Sequence, residues 1–287
     1  MLEKGSVVLK KDFLLSINIP TFGRNLILER LLIRVFESIA MIDPKLHEKV
    51  IVQVFDNHSP ESISTGSFRS LMDGLSVEFR YLRRPRNLGG DANLSLAAEA
   101  GKIADFTWVL GDDDLPAIWS VGYIADQILS RDSLGLIYLG GDPGGWEKVI
   151  EVPRTFDSYL DLIKFFSVFP VFQSGAMGIN PVLGQTLVSA NVYKSDLYSS
   201  DMYSFVRDVL NPCLGVECNF SHMYAVIKSL IDQPSFTVHM SPIRALEAVK
   251  LGSSKDEAQN RFINTLYVTY MNFIRYHGGV GGYKWRV

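Results

Sequence analysis

Five near-continuous apolar runs punctuate the first half of the chain: Phe13 to Ile19, Val50 to Phe55, Val77 to Leu82, Phe106 to Leu110 and Leu134 to Leu139. Between them lie segments whose apolar residues recur every three or four positions. Residues 24–40 carry Leu26, Ile27, Leu31, Leu32, Val35, Phe36 and Ile39 at that spacing. Residues 66–74 suit a short helix, and 90–103, rich in Ala and Leu, read as a helix closed by Gly101. A strand that is apolar on both faces must be covered on both. The alternation therefore predicts an α/β fold with a mostly parallel central sheet flanked by helices. Sheets of that kind bind ligands outside the carboxyl ends of their strands. Pro20-Thr21, Asp56-Asn57 and Asp112 to Asp114 all stand at such ends.

The three adjacent aspartates are the strongest chemical signal. Like charges repel, and a strand end beside a core is a costly place for them. In extended backbone, Asp112 and Asp114 would point to one face and Asp113 to the other. Two carboxylates on one side suit a hard divalent cation such as Mg²⁺ held against a ligand's phosphates. The competing reading is an acidic turn with Asp capping the next helix, since Pro116 suits a first helical turn.

At 287 residues, one large domain or a core with a helical appendage is the natural size. Hydrophobic content of 47% with 21% charged residues is ordinary for a protein with a sizeable core. A net charge of −3 gives no global attraction to nucleic acid. Cys213 and Cys218 match no zinc pattern and make no disulfide framework, which suggests a reduced, cytoplasmic setting. The N-terminus lacks the plan of a signal peptide, and no apolar run approaches the roughly 18 residues of a membrane helix. The chain is expected to be soluble, with at most peripheral contact at the inner face of the cytoplasmic membrane. Its oligomeric state is not legible.

The character changes near residue 140, where Gly140 to Gly145 looks like a flexible connection. An amphipathic segment (157–167), a mixed run (Gln173 to Asn180) and a β-like stretch (Thr186 to Tyr193) follow. Helical patterns at 194–210 and 219–232 precede a short strand at Phe236 to His239, a terminal helix at 255–276 and a loose glycine-rich tail. The expected organisation is a donor half at 1–140, an acceptor half of the same domain at 141–254, and a C-terminal helix and tail at 255–287.

Four motifs, in order, carry a family resemblance: Ser16-Ile17-Asn18-Ile19-Pro20-Thr21-Phe22-Gly23-Arg24, Val54-Phe55-Asp56-Asn57-His58-Ser59, Arg86-Asn87-Leu88-Gly89-Gly90-Asp91-Ala92-Asn93, and Trp108-Val109-Leu110-Gly111-Asp112-Asp113-Asp114. Over residues 13–125, and more faintly through Val188 to Tyr193, the chain resembles a family 2 glycosyltransferase of the GT-A, nucleotide-diphospho-sugar transferase fold. Its tone is nearest to bacterial surface-polysaccharide enzymes of the abequosyltransferase type. The resemblance implies a nucleoside-diphosphate sugar as donor and an acceptor hydroxyl on a glycan or lipid-linked saccharide. It also implies a helical C-terminal acceptor region and a Mg²⁺ or Mn²⁺ ion.

By the same resemblance, Pro20 and Thr21 shape the loop against base and ribose, and Asp56 accepts from the edge of a pyrimidine. Arg24 faces phosphate from a helix start. Asn87, Gly89, Gly90 and Asn93 lie near the nucleotide, where the glycines permit close approach. Asp112 contacts ribose or metal, Asp114 holds the ion, and Asp113 is held by amides or faces the donor sugar. Each has a plainer reading as a strand terminator, turn residue, helix start or solvated charge. Arg83, Arg84 and Arg86 would favour diphosphate locally, or simply be solvated.

Such enzymes are typically inverting and need one base to deprotonate the acceptor. The family supplies an acidic residue at a helix start in its second half, but this chain has Ser221-His222 there. His222 is the first candidate, because a neutral imidazole takes a proton near pH 7, and Glu217 the second. His239 is a weaker candidate for metal or acceptor. Second-half aromatics, among them Trp146, Phe165, Phe172 and Tyr203, suit sugar stacking or core packing, and Tyr283 to Arg286 an interfacial contact. A sugar-1-phosphate nucleotidyltransferase would want a glycine-rich loop after the first strand, where only Gly23 stands. The Ser221-His222 departure keeps a non-catalytic nucleotide-sugar binding module open.

Overall fold

The structure, a computed structural model, describes residues 11–63, 66–139, 153–162, 188–205, 207–208, 221–241 and 246–248. Glu217, the Gly140–Gly145 connection, Phe165, Phe172, Trp146, the 255–276 helix and the tail lie outside the described residues.

In chain order the elements begin with β1 (Phe13–Thr21), α1 (Asn25–Ala40), α2 (Pro44–His47), β2 (Val50–Asp56), α3 (Gly66–Asp73) and β3 (Glu78–Arg83). Then come α4 (Gly90–Ala100), β4 (Ala104–Val109), β5 (Asp114–Pro116), α5 (Ser120–Ser130), β6 (Leu134–Tyr138) and β7 (Arg154–Phe156). The remainder is β8 (Asn191–Lys194), α6 (Ser200–Phe205), α7 (Ser221–Asp232), β9 (Thr237–Met240) and β10 (Leu246–Ala248). One sheet has the order β3-β2-β1-β4-β8-β6-β9-β7, and β5 pairs separately with β10. Parallel pairing joins β1 to β2, β1 to β4, β2 to β3 and β6 to β9. β8 runs antiparallel to both β4 and β6, and β7 antiparallel to β9. The second half therefore adds strands to the same sheet as well as helices.

The burial pattern explains the sequence pattern. Every residue of β2 and of β6 is buried, as strands covered on both faces require. α1 buries Leu28, Leu31, Leu32, Val35, Phe36 and Ile39, one stripe at helical spacing. Phe36, Phe68 and Phe79 pack ring to ring and tie α1 and α3 to β3. α4 presents Ala97 and Ala98 to the core and lies close to the sheet. Gly101, just beyond it, has no room for a side chain: a Cβ would meet Thr107 Oγ1 at 2.1 Å. Buried polar groups fix the register of α4 on the sheet. Asn18 Nδ2 donates to the Ala97 carbonyl (2.6 Å), and Gln53 Nε2 donates to Asn18 Oδ1 (3.1 Å).

Two local expectations fail around the aspartates. Asp114 N–H donates to the Gly111 carbonyl (3.2 Å), so the backbone turns there and the extended alternation of faces does not apply. Pro116 is the last residue of β5, not a helix start; α5 begins at Ser120 without a side-chain cap and buries Val121, Ile124 and Ala125. No helix among the described residues is long and apolar enough to cross a membrane.

Candidate functional site

The chain lays down β1, β2 and β3 in one direction across the sheet, then returns to place β4 on the other side of β1. The loops leaving β1 and β4 stand side by side there, at the point where the strand order reverses, which is where sheets of this kind hold ligands. Between them, Thr21 Oγ1 donates to Asp112 Oδ2 (2.7 Å), and Arg24 Nη1 donates to Asp112 Oδ1 (2.7 Å). The same guanidinium reaches Asp113 Oδ2 at 3.0 Å. Burial alone would lower the Arg24 pKa, but Asp112 and Asp113 more than offset this and hold it above its ordinary value. Burial pushes Asp112 up, with Asp113 adding to the rise, while Thr21 and Arg24 oppose it.

Asp114 is held differently. Trp108 Nε1 donates to the Ser189 carbonyl (2.8 Å), fixing a short 3₁₀ turn at Val188–Ala190 against β4. The Ser189 hydroxyl then accepts from Gly111 N–H (2.7 Å) and hydrogen-bonds the Asp114 carboxylate. Asp113 Oδ1 and Asp114 Oδ2 both lie within 3.3 Å of where a Gly111 Cβ would stand, so a side chain there would press both carboxylates a few tenths of an ångström aside. Burial, with Asp113 and Asp112 adding, pushes Asp114 up to about 6, and the Ser189 bond resists that rise. No cation among the described residues is ion-paired with Asp114. Asp114 is a partly buried carboxylate with like charges beside it and only the through-space pull of Arg24 against them, a setting that a divalent ion would stabilise. Asp112 and Asp114 thus fit as its ligands, although no group of three or more metal-binding side chains gathers among the described residues.

Strand register continues the row: Thr21 stands opposite Asp56 and Asp56 opposite Arg83. Asp56 is 1% exposed and fully engaged. Its Oδ1 accepts from Ser59 N–H (2.7 Å), and its Oδ2 accepts from the Tyr81 hydroxyl and lies 3.4 Å from Arg83 Nε. These bonds make it a turn carboxylate that shapes the loop after β2, where His58 takes a positive φ of 69°. Pro20 closes the same strand, pairing in register with Phe55.

Asn57 links the loops. Its N–H donates to the Thr21 carbonyl (2.9 Å), and its Nδ2 to Asn87 Oδ1 (2.8 Å) and the Gly89 carbonyl (3.1 Å). Its Oδ1 accepts from Leu88 N–H (2.8 Å). Gly89, at φ 84°, and Gly90 have nothing within 4 Å of an added Cβ. That segment is an open rim held in place by Asn57. Asn93 is buried; its Nδ2 donates to the Phe55 carbonyl (2.8 Å), while Oδ1 has no partner.

The sequence reading passed over four members of this edge: Asn57, Ser189, Tyr81 and Asp91. Asn57 and Asp91 stood inside the quoted motifs. Asp91 Oδ1 accepts from Ser221 N–H at the start of α7 (3.2 Å), and Oδ2 from the Tyr203 hydroxyl (3.1 Å). His222, the preferred base, is 0% exposed, neither ring nitrogen has a partner, and burial lowers its pKa to about 3. Sealed in this way, the imidazole does not reach an acceptor hydroxyl in this conformation. His239 Nε2 lies 2.7 Å from Tyr123 Oη and Nδ1 3.0 Å from Thr155 Oγ1, a satisfied structural pair of contacts.

No family model matches the sequence, and no curated protein matches it. Solved structures do. Residues 1–349 of TarS from S. aureus align over 94% of this chain and 76% of theirs, with 13% identity and a TM-score of 0.55. A longer TarS structure aligns over 94% of this chain and 44% of its own, with 13% identity and a TM-score of 0.51. A mannosyltransferase, PcManGT from Pyrobaculum calidifontis, solved in complex with GDP-Man and Mn²⁺, aligns over 96% of this chain and 77% of its own at 12% identity and a TM-score of 0.49. The fold is thus that of the GT-A glycosyltransferases, a central sheet flanked by helices.

Proposed function

We propose that the protein is a metal-dependent glycosyltransferase that moves a sugar from a nucleoside-diphosphate sugar to a hydroxyl of a glycan or lipid-linked saccharide. The observation that carries this reading is the pairing of Asp112 with Thr21 and Arg24, beside Asp114, which makes no ion pair among the described residues, at the switch point between β1 and β4. Asp112 and Asp114 would hold Mg²⁺ or Mn²⁺, which neutralises charge as the nucleoside diphosphate departs. Thr21 and Arg24 orient Asp112, and Ser189 orients Asp114. The open rim at Gly89 and Gly90, pinned by Asn57, lets backbone approach the donor without a Cβ in the way. The finer reading is an inverting transfer in bacterial surface polysaccharide synthesis, with peripheral contact at the inner membrane face where a lipid-linked acceptor would lie.

The test is release of nucleoside diphosphate from a panel of UDP-, GDP-, CDP- and dTDP-sugars with Mn²⁺. Turnover with one donor, reduced at least about 100-fold in Asp114→Asn, is expected. Unchanged turnover in that variant overturns the metal assignment. Donor that binds to the wild type without turnover would instead identify a nucleotide-sugar binding module.

A further inference from the structure

A transfer to a hydroxyl requires a proton acceptor on the acceptor side of the site. The carboxylates of the β1–β4 edge are already engaged. Asp56 has both oxygens bonded and is sealed, Asp112 and Asp113 share Arg24, and Asp114 belongs with the cation. His222 is enclosed. Asp91 too has both oxygens hydrogen-bonded, but it is neither sealed nor held by a cation among the described residues. It sits in the first turn of α4, two residues beyond Gly89, whose carbonyl is tied through Asn57 to Thr21 and so to Asp112. It is only partly buried, and it makes no ion pair among the described residues. Its hydrogen bonds come from the second half, from the Tyr203 hydroxyl and from both the N–H and the side chain of Ser221, which opens α7. It therefore bridges the donor rim to the half that would receive the acceptor.

We propose that Asp91 is the general base of the transferase reaction proposed above. As the acceptor oxygen bonds to the anomeric carbon of the donor, its proton passes to an Asp91 oxygen. The bond from that carbon to the diphosphate oxygen breaks, and the electron pair leaves with the nucleoside diphosphate. The setting suits the task. Burial holds the Asp91 carboxyl above its ordinary range, against the bonds from Tyr203 and Ser221 and the more distant Arg207, so it is a better proton acceptor than a solvated aspartate. Tyr203 is raised to about 12 by its own burial and by Asp91, and stays a hydrogen-bond donor throughout the working range. The start of α7 supplies a backbone N–H that steadies the carboxylate.

The inference rests on the transferase reading, and the experiment separates the two. Nucleoside diphosphate release is measured with the donor panel and Mn²⁺, water or a simple alkyl glycoside serving as acceptor, together with donor affinity by calorimetry. Wild type inert toward every donor sinks the transferase reading and this inference with it. Given wild-type turnover, Asp91→Asn keeps a side chain that can cap α7 but cannot take the proton. It is expected to lose about 100- to 10,000-fold in kcat with donor affinity and melting temperature unchanged. Activity within a few-fold of wild type, or a loss matched by collapse of donor binding and stability, overturns the assignment. A second variant, Tyr203→Phe, removes a bond that stabilises the charged carboxylate. It should move the acid limb of kcat/KM to higher pH; of the other groups near Asp91, Tyr198 is untouched, while Arg207 loses its bond to Tyr203 and keeps its charge. An unmoved limb counts against Asp91.

Discussion

Two stretches of the same sheet edge are built on opposite plans. Along β1, β2 and β4 each polar group meets a partner: Thr21 and Arg24 with Asp112, Ser59 and Tyr81 with Asp56, and Asn57 with Asn87, Leu88 and Gly89. Where α4 meets α7, the accounts do not close among the described residues. Asn93 Oδ1 and both nitrogens of His222 are buried without partners, and Asp91 is held by long bonds from Tyr203 (3.1 Å) and Ser221 N–H (3.2 Å) and by the Ser221 side chain. A buried polar group left without a partner costs about 1–3 kcal/mol. The first region is pre-organised to receive charge, and its loops need not move to do so. The second carries a standing cost, and such costs persist where a surface is kept for chemistry.

The contrast is most sharply tested by acid. His222 is neutral in the fold because burial lowers its pKa from 6.5 to about 3. The unfolded chain takes up that proton below about pH 6.5, so stability is fully present above that pH and falls as pH drops toward 3. The loss is up to about 1.4 kcal/mol for each unit. His239, lowered to about 4 by burial and by Arg131, adds a slope of the same sign. Urea unfolding at pH 7, 5.5 and 4.5 should show the decline, and His222→Leu should remove about half of what the two histidines contribute while leaving stability at pH 7 almost unchanged. An equally steep decline in the variant would mean that other groups set the acid limit.

Substitutions in the closed region are compared at pH 7, because Asp114, raised to about 6, itself takes up a proton in that range. Thr21→Val deletes a bond to a buried charged carboxylate and is expected to cost about 2 kcal/mol, read from urea midpoints at pH 7. Asn57→Ala removes three side-chain bonds, but the groups it frees at Leu88 and Gly89 can turn to water. Its stability cost should be only about 1 kcal/mol. Its larger effect should be on donor affinity, because the glycine rim loses its tether. An Asn57→Ala protein that binds donor as tightly as wild type would show that the rim is not part of the donor site.

The closed region is also the one the sequence announces. Strand, turn and motif follow one another within a few residues there, so the ends of β1, β2 and β4 and the start of α4 are readable as local patterns. The reading faltered where one hydrogen bond changed the local geometry. The Gly111–Asp114 turn cancels the alternation of faces expected from an extended triad. It missed β5, whose partner β10 lies far along the chain. Asn57 was quoted as part of a motif, but its reach to Leu88 and Gly89 spans more than thirty residues and depends on how two loops meet. Ser189 and Asp91 find their partners 78 and 130 residues away. His222 was placed correctly at a helix start, yet nothing local records that packing seals the imidazole. Apart from the Gly111–Asp114 turn, which is local, contacts across the fold decided these, and no spacing rule encodes them.

The smallest expected effect is the one that probes the charge balance of the closed region most directly. Arg24 is 43% exposed and bridges Asp112 and Asp113 from the position just before α1. Ion pairs at such exposure contribute well under about 1 kcal/mol, so Arg24→Ala should lower the melting temperature only slightly. Its effect on cation binding should be clearer. With the guanidinium gone, Asp112 keeps only Thr21 as a donor, and the three carboxylates present more uncompensated charge to a divalent ion. Millimolar Mn²⁺ should therefore raise the melting temperature more in Arg24→Ala than in wild type, enough to recover most of the loss, whereas monovalent salt at equal ionic strength should not. If the Mn²⁺ shift is equal in the two proteins, Arg24 and the cation do not share the aspartates, and the guanidinium must serve the donor's phosphates instead.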